Sequence, residues 1–224
     1  MTPMSVVVFD LDGTLTDTEA VWDQVRRGLA AADGRPWPDG ATEAMMGMST
    51  QQWSAYLSDV IGLAGDAEEC AARTIAGLVQ RYRTAGMPVL PGAVAAVRRM
   101  AGQWRLGLAS SSPRVLIDAA IEQLGIGDVI EVSRSTEELD GAGKPAPEVY
   151  LDVCRRLNAD PRQSLAIEDS TSGIGAAKAA GMVVVAVPPH FNPPPAEILR
   201  GVDAVLDSLA ELSVELVQEL LAHR

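Results

Sequence analysis

The sequence predicts a doubly wound α/β fold, in which helices cover both faces of a parallel sheet, with an all-helical insertion after the first strand. Several short runs are apolar at every position, as is typical of strands buried on both faces. Helix-like stretches separate these runs after Leu106, which is the alternation that a parallel sheet requires. A long early segment shows helical periodicity and hardly any strand signal.

Six runs are expected to form the sheet, at residues 6–9, 106–109, 129–132, 164–167, 183–187 and, more weakly, 204–206. The insertion is expected to comprise residues 17–87, with four helices and a loop at 47–50 between two of them. Residues 1–16 and 88–224 would then form the α/β core. With 224 residues, 47% of them hydrophobic, the chain is long enough for two unequal units.

Composition and charge narrow the classes of partner. Eighteen Lys and Arg stand against 30 Asp and Glu, and the net charge of −12 has the wrong sign for nucleic acid or an anionic membrane surface. The cysteines, Cys70 and Cys154, are far apart in helix-like stretches, so free thiols are expected. No apolar run approaches the roughly 20 residues that span a bilayer. We therefore expect a cytoplasmic protein that binds neither nucleic acid nor membranes, and its oligomeric state, monomer or dimer, stays open.

Two acidic pairs follow predicted strands. Asp10 and Asp12 come directly after the first strand, and Glu168 and Asp169 follow the fourth. Because ligands bind outside the carboxyl ends of parallel strands, the four carboxylates are expected to converge on one crevice. An all-oxygen site suits a hard cation such as Mg²⁺. Either pair alone fits an ordinary solvated turn as well, but together they predict a metal site.

Hydroxyls and a lysine predict a phosphate site at the same crevice. The second strand ends in Ser110, Ser111 and Ser112, and Ser112 with Pro113 is expected to be the N-cap and first residue of a helix. Ser110 is the hydroxyl expected to bind a phosphate oxygen. Lys144 is framed by a glycine and prolines and would supply a cation. Taken alone, the serines fit a capping loop and the lysine a solvated loop residue.

The four motifs, in this order, resemble those of the haloacid dehalogenase superfamily. They are Asp-x-Asp-Gly-Thr from residue 10, the serine at 110, Gly-Lys-Pro at 143–145 and Glu-Asp-Ser at 168–170, and the resemblance covers essentially the whole chain. Thr-Asp-Thr-Glu at 16–19, Leu-Pro-Gly at 90–92 and the helical insertion resemble the β-phosphoglucomutase-like phosphatases. That resemblance implies a Rossmann-like core with a small helical cap.

The resemblance also implies roles for individual residues. Asp10 would attack phosphorus to form an aspartyl-phosphate, and Asp12 would be the general acid and then the general base. Magnesium would be held by the carboxylates of Asp10 and Asp169 and the backbone carbonyl of Asp12, with Glu168 near the metal's waters. The phosphoryl group would be bound by Ser110, the amide of Ser111, and Lys144.

Substrate selectivity is expected to come from the cap, where the resemblance weakens. Phosphoglucomutase relatives carry a histidine and a basic residue at positions that here are Trp22 and Thr50. Their replacement favours hydrolysis over mutase chemistry. The expected substrate is a small phosphorylated metabolite, and sugar phosphates, phosphoglycolate-like acids and nucleotide monophosphates are all compatible with the core. Trp22, Gly47, Met48 and Thr50 are the candidate substrate contacts. Tryptophan and methionine at helical spacing equally fit simple packing inside the cap.

Three alternatives remain open from the sequence. A phosphomutase would return the phosphoryl group to its substrate instead of transferring it to water. A dehalogenase needs neither a second aspartate at position 12 nor magnesium, so Asp12 argues against it. A non-enzymatic phospho-acceptor or binding module of the receiver type would be much shorter and would lack the helical insertion.

Overall fold

The computed structural model describes residues 5–45, 48–141, 143–190 and 193–223. The chain divides into two compact units, the core, Met1–Asp17 with Pro88–Arg224, and the cap, Thr18–Met87. The first boundary lies one residue later than predicted, because the amide of Asp17 donates to the carbonyl of Pro88 at 3.0 Å. Within the described ranges, no helix is both long and apolar enough to cross a membrane.

Four α-helices form most of the cap: α1 (Glu19–Ala32), α2 (Ala41–Met45), α3 (Thr50–Tyr56) and α4 (Ala67–Ala85). A π-helical segment, Leu57–Ile61, continues α3. The predicted loop ended one residue too late, because Ser49 caps α3 by accepting from the amide of Gln52 and the helix begins at Thr50. The cap has its own apolar cluster, which includes Trp53, Leu57 and Cys70.

Six parallel strands form the sheet of the core, in the order β3-β2-β1-β4-β5-β6. They are β1 (Val6–Phe9), β2 (Arg105–Ser110), β3 (Ile130–Ser135), β4 (Leu165–Glu168), β5 (Val183–Ala186) and β6 (Ala204–Val205). The predicted fold class is therefore confirmed. The apolar runs correctly predicted the six strands. The largest difference is at the end of β3, which extends three residues beyond its predicted end through the polar segment 133–135.

The described part of the core has six further α-helices: α5 (Ala93–Ala101), α6 (Arg114–Leu124), α7 (Glu148–Arg156), α8 (Thr171–Ala179), α9 (Ala196–Leu199) and α10 (Val214–Ala222). Residues of α7 and α8 pack against one face of the sheet, in a cluster that includes Val8, Ala166, Val184, Val153 and Ala177. Burial of this apolar surface fixes α7 and α8 beside the central strands. Tyr150 lies on α7, and Glu168 and Asp169 lie just before α8 in the chain.

Candidate active site

The ends of three neighbouring strands bring the predicted motifs together. Phe9 at the end of β1 is in register with Leu108 of β2 and Ile167 of β4. The amide of Asp10 donates to the carbonyl of Ile167 at 3.0 Å, which extends the pairing by one residue. The residues that follow these strands therefore share one edge, at the point where the chain order of the sheet reverses.

Lys144 is the centre of a buried ion-pair network. Its Nζ donates to Asp10 Oδ1 and to Glu168 Oε1, both at 2.6 Å, and to the carbonyl of Ala109 at 3.0 Å. Its side chain is only 4% exposed. A buried ammonium needs such partners to offset the loss of its hydration. The sequence-predicted lysine thus directly contacts the predicted nucleophile.

Glu168 is fixed at both oxygens. Oε1 accepts from Lys144 and from the hydroxyl of Tyr150, each at 2.6 Å. Oε2 accepts from the amide of Asp169 at 3.2 Å and from the amide and hydroxyl of Ser170 at 3.4 and 3.2 Å. A Cβ built on Gly173 would lie 1.9 Å from Oε1, so glycine in the first turn of α8 leaves the space that this carboxylate fills.

Asp169 lies against the turn that follows β1. Thr14 Oγ1 donates to Asp169 Oδ1 at 3.4 Å. A Cβ on Gly13 would lie 2.1 Å from Asp169 Oδ2, and Gly13 has a φ of +88°, a value that side chains disfavour. Glycine at position 13 therefore serves both the tight turn and the close approach of this carboxylate.

Asp12 is held by hydroxyls of the loop after β2. Ser112 Oγ donates to Asp12 Oδ2 at 2.6 Å, and Ser110 Oγ donates to the same oxygen at 3.4 Å. The predicted N-cap was wrong: α6 begins at Arg114 with Pro113 in the N-cap position, and the Ser112 hydroxyl serves Asp12 instead. Ser111 is exposed between the two.

The pKa values follow from this burial of like charges. Burial raises the pKa of Asp10 to about 7, Lys144 opposes that rise, and Glu168 and Asp12 add to it. The pKa of Asp169 is raised well above its ordinary range by burial and by Asp10 and Glu168. Burial alone would lower the pKa of Lys144, but Asp10 and Glu168 outweigh it and raise the value.

The acidic residues fit a metal ion. Carboxylate oxygens of Asp10, Glu168 and Asp169 lie within 4.8 Å of one another, and all three residues are buried. Carboxylates brought so close and desolvated favour either proton uptake or a cation, and oxygen ligands suit a hard one. Asp10 and Asp169 are the better ligands, since both oxygens of Glu168 already accept from protein donors. The cluster is therefore able to bind a divalent metal.

Two candidate substrate contacts of the cap lie beside its apolar cluster. Trp22 and Met48 are partly buried against that cluster. The Trp22 ring meets Trp53 edge-on at 5.6 Å, and the Arg26 guanidinium stacks on both rings, 4.7 and 5.0 Å from their centroids. Thr50 is half-buried at the start of α3, and Gly47 lies outside the described residues. Contact of these residues with substrate stays a prediction.

Comparison with known proteins places the chain in a family. Residues 4–181 match the model of the haloacid dehalogenase-like hydrolases. The chain belongs to this family. It is 33% identical to hexitol phosphatase B of Escherichia coli K12, over 96% of this chain and 97% of that protein. It is 32% identical to validoxylamine A 7'-phosphate phosphatase of Streptomyces hygroscopicus subsp. limoneus, over 92% and 95% of the two chains.

Solved structures share the fold of this chain. A family hydrolase from Deinococcus radiodurans with bound phosphate and sodium superposes with a TM-score of 0.70 at 27% identity, over 99% of this chain and 98% of that one. CbbY from Rhodobacter sphaeroides in complex with phosphate gives a TM-score of 0.83 at 22% identity, over 96% and 99%. This haloacid dehalogenase-like chain is therefore an enzyme, a phosphatase of that family.

Three residues of the site were missed by the sequence analysis. Tyr150 was read only as part of a helix, because an aromatic residue at helical spacing normally indicates packing. Ser112 was assigned to a helix cap, and Gly173 was not singled out. The alternating small residues in the first turns of α8 were the available hint that something packs closely there.

Proposed function

We propose that this enzyme is a magnesium-dependent phosphatase that hydrolyses a small phosphorylated metabolite through an aspartyl-phosphate on Asp10. The observation that carries the proposal is the contact of Asp10 with the buried ammonium of Lys144, in a cluster that also contains Asp169. A carboxylate nucleophile needs neighbouring positive charge to receive an anionic phosphoryl group. Lys144 supplies that charge from the protein.

The first step transfers the phosphoryl group to Asp10. A carboxylate oxygen of Asp10 forms the new bond to phosphorus as the bond from phosphorus to the substrate oxygen breaks. The electron pair goes to the leaving oxygen, which takes a proton from Asp12. Ser110, the amide of Ser111 and Lys144 would bind the equatorial oxygens, where charge spreads in the transition state.

The second step returns Asp10 to its free form. Asp12, now a carboxylate, accepts a proton from water as the water oxygen attacks phosphorus. The bond between phosphorus and Asp10 breaks, and inorganic phosphate leaves. Asp10 and Asp169, with the carbonyl of Asp12, would hold Mg²⁺, which would neutralise charge on the transferring group.

The relatives indicate the substrate class. Two of the most similar ones are named as phosphatases of hexitol phosphates and of validoxylamine A 7'-phosphate, and both cover nearly the whole chain. We infer a substrate with a polyhydroxylated carbon skeleton and one phosphate group, such as a sugar or polyol phosphate. Trp22, Met48 and Thr50, together with Gly47, are the cap positions that we propose to contact it.

Phosphate release from a panel of sugar, polyol and carboxylic-acid phosphates tests the proposal. With magnesium, Asp10→Asn should lower kcat more than about 10³-fold. Asp12→Asn should lower it about 10²- to 10⁴-fold. Asp118→Asn is the matched control, since this carboxylate is exposed on α6. Full activity of Asp10→Asn would contradict the proposal, as would full activity of wild type after chelation of the metal. Isomerisation of the substrate without phosphate release would indicate a mutase.

A further inference from the structure

Packing does not explain the hydroxyl of Tyr150, because the ring of a phenylalanine would fill the same apolar space. Tyr150 lies on α7, is fully buried, and belongs to the apolar cluster between α7, α8 and the sheet. Burying a hydroxyl is costly unless it is hydrogen-bonded. Its bond to Glu168 Oε1, at 2.6 Å, satisfies the hydroxyl inside the network that surrounds the nucleophile.

The Lys144 ammonium has three N–H donors and is surrounded by four acceptors from the described part of the chain. The three close ones are Asp10, Glu168 and the carbonyl of Ala109, and the Tyr150 hydroxyl is a more distant one at 3.5 Å. The proposed reaction changes the contact between Lys144 and Asp10, because Asp10 forms a bond to phosphorus and its carboxylate loses its negative charge. Lys144 is then held by Glu168 and Ala109 while its freed donor is available to the phosphoryl oxygens.

We propose that Tyr150 is a positioning residue, whose hydroxyl fixes Glu168 so that Glu168 keeps Lys144 in place while Asp10 carries the phosphoryl group. This inference rests on the proposed function. Tyr150 acts mainly through Glu168, its partner at 2.6 Å, and its hydroxyl also accepts a longer hydrogen bond from Lys144 Nζ at 3.5 Å. Its contribution is therefore to the geometry of the lysine and not to the chemistry itself.

The contacts of Glu168 explain why Tyr150 matters. The donors to Oε2 are 3.2 to 3.4 Å away and hold one end of the carboxylate loosely. Both donors to Oε1 are at 2.6 Å, and one of them is the lysine itself. Among the described residues, Tyr150 is thus the one close donor to this end of Glu168 besides the lysine itself. Without it, the lysine and its counter-ion would shift together.

Tyr150→Phe tests the inference, with Tyr56→Phe as a matched control, because Tyr56 is a partly buried tyrosine on the cap's apolar cluster. Steady-state kinetics with the best substrate and saturating magnesium give kcat and KM separately. We expect Tyr150→Phe to lower kcat about tenfold, since a bond to a charged group is lost. KM and the affinity for inorganic phosphate should change less than about twofold, because ground-state binding is retained. Tyr56→Phe should match wild type in all three.

Each other outcome has a distinct meaning. An active wild type with an unchanged kcat in Tyr150→Phe would overturn the positioning role and leave the proposed function intact. Equal changes in kcat and phosphate affinity, or failure of the variant to fold by circular dichroism, would overturn it in favour of a structural role. A wild type that releases no phosphate from any substrate would overturn the proposed function, and the positioning role with it.

Discussion

The two aspartates after β1 have different hydrogen-bond partners. Asp10 contacts an ammonium, whereas Asp12 is held by Ser112 and, at a longer distance, by Ser110. The loop that carries Ser112 is itself anchored, because Ser135 at the end of β3 donates to the carbonyl of Ser112 at 2.7 Å. An acid–base carboxylate must be within reach of the leaving oxygen in a fixed direction. Ser112 is therefore expected to orient Asp12.

Ser112→Ala should lower kcat by about tenfold, since Asp12 loses its closest hydrogen bond while keeping its carboxylate. The substrates with the poorest leaving groups should be affected most, because they depend most on protonation by Asp12. Ser5→Ala, just before β1 and so at the opposite end of that strand, is the control. An unchanged kcat for every leaving group would show that Ser112 does not orient Asp12.

The residues with recognisable motifs were predictable, and their partners were not. Asp10 and Asp169 stand in short polar motifs at the ends of apolar runs, and the structure brings them to one buried cluster with Glu168. Tyr150 could not be found in this way, because its hydroxyl meets Glu168 only when α7 packs on the sheet. Its signal in the sequence is identical to that of a packing residue.

At the scale of elements, the start of α8 is fitted to the carboxylate of Glu168. Ser170 caps the helix by accepting from the amide of Gly173 at 3.0 Å and also donates to Glu168. Because α8 follows β4 after only two residues, a change in its first turn is transmitted directly to the site. The position of the helix and the position of the carboxylate are thus linked.

Gly173→Ala should displace Glu168, because the new methyl group would lie 1.9 to 2.0 Å from its carboxylate. We expect a loss of unfolding free energy of about 1–3 kcal/mol and a fall in kcat of at least about tenfold. The matched control is Gly28→Ala in α1, where a Cβ meets nothing within 4 Å. That helical substitution should raise stability by about 0.5–1 kcal/mol. Urea unfolding and steady-state kinetics measure both, and equal behaviour of the two variants would contradict this account.

The strands were predictable because buried parallel strands are apolar throughout, and the errors fall where that signal fades. The second half of β3 is polar, since this strand lies at the edge of the sheet and is only partly buried. The start of α3 was misplaced although Ser49 and Gln52 form a capping box, a signal that the apolar pattern alone does not contain.

At the scale of the whole molecule, the cap is inserted between two points of the core that already touch. Besides the bond from Asp17 to Pro88, Thr16 pairs with Val89 and the amide of Leu90 donates to Leu15 at 3.0 Å. The core thus closes on itself without residues 18–87. Composition and periodicity predicted this division, but the identity of the substrate depends on side chains for which the sequence offers no motif.

Replacement of residues 18–87 by a short glycine–serine linker should leave a folded core, because the two ends are joined by backbone hydrogen bonds. We expect a cooperative unfolding transition and a far-ultraviolet circular dichroism spectrum of a mixed α/β protein. Discrimination between substrates in the panel should be lost. An insoluble or non-cooperative product would show that the core depends on the cap for its stability.

The central claim, that Asp10 is the nucleophile, is tested most directly by trapping the aspartyl-phosphate. With an aryl phosphate, whose good leaving group needs little protonation, Asp12→Asn should slow hydrolysis of the intermediate more than its formation, so that the intermediate accumulates when substrate and magnesium are added. Borohydride reduces an acyl phosphate to an alcohol, which converts the modified aspartate to homoserine. Peptide mass spectrometry should then find homoserine at position 10, and only when substrate is present. Homoserine at another position, or none from a protein that still releases phosphate, would contradict the mechanism.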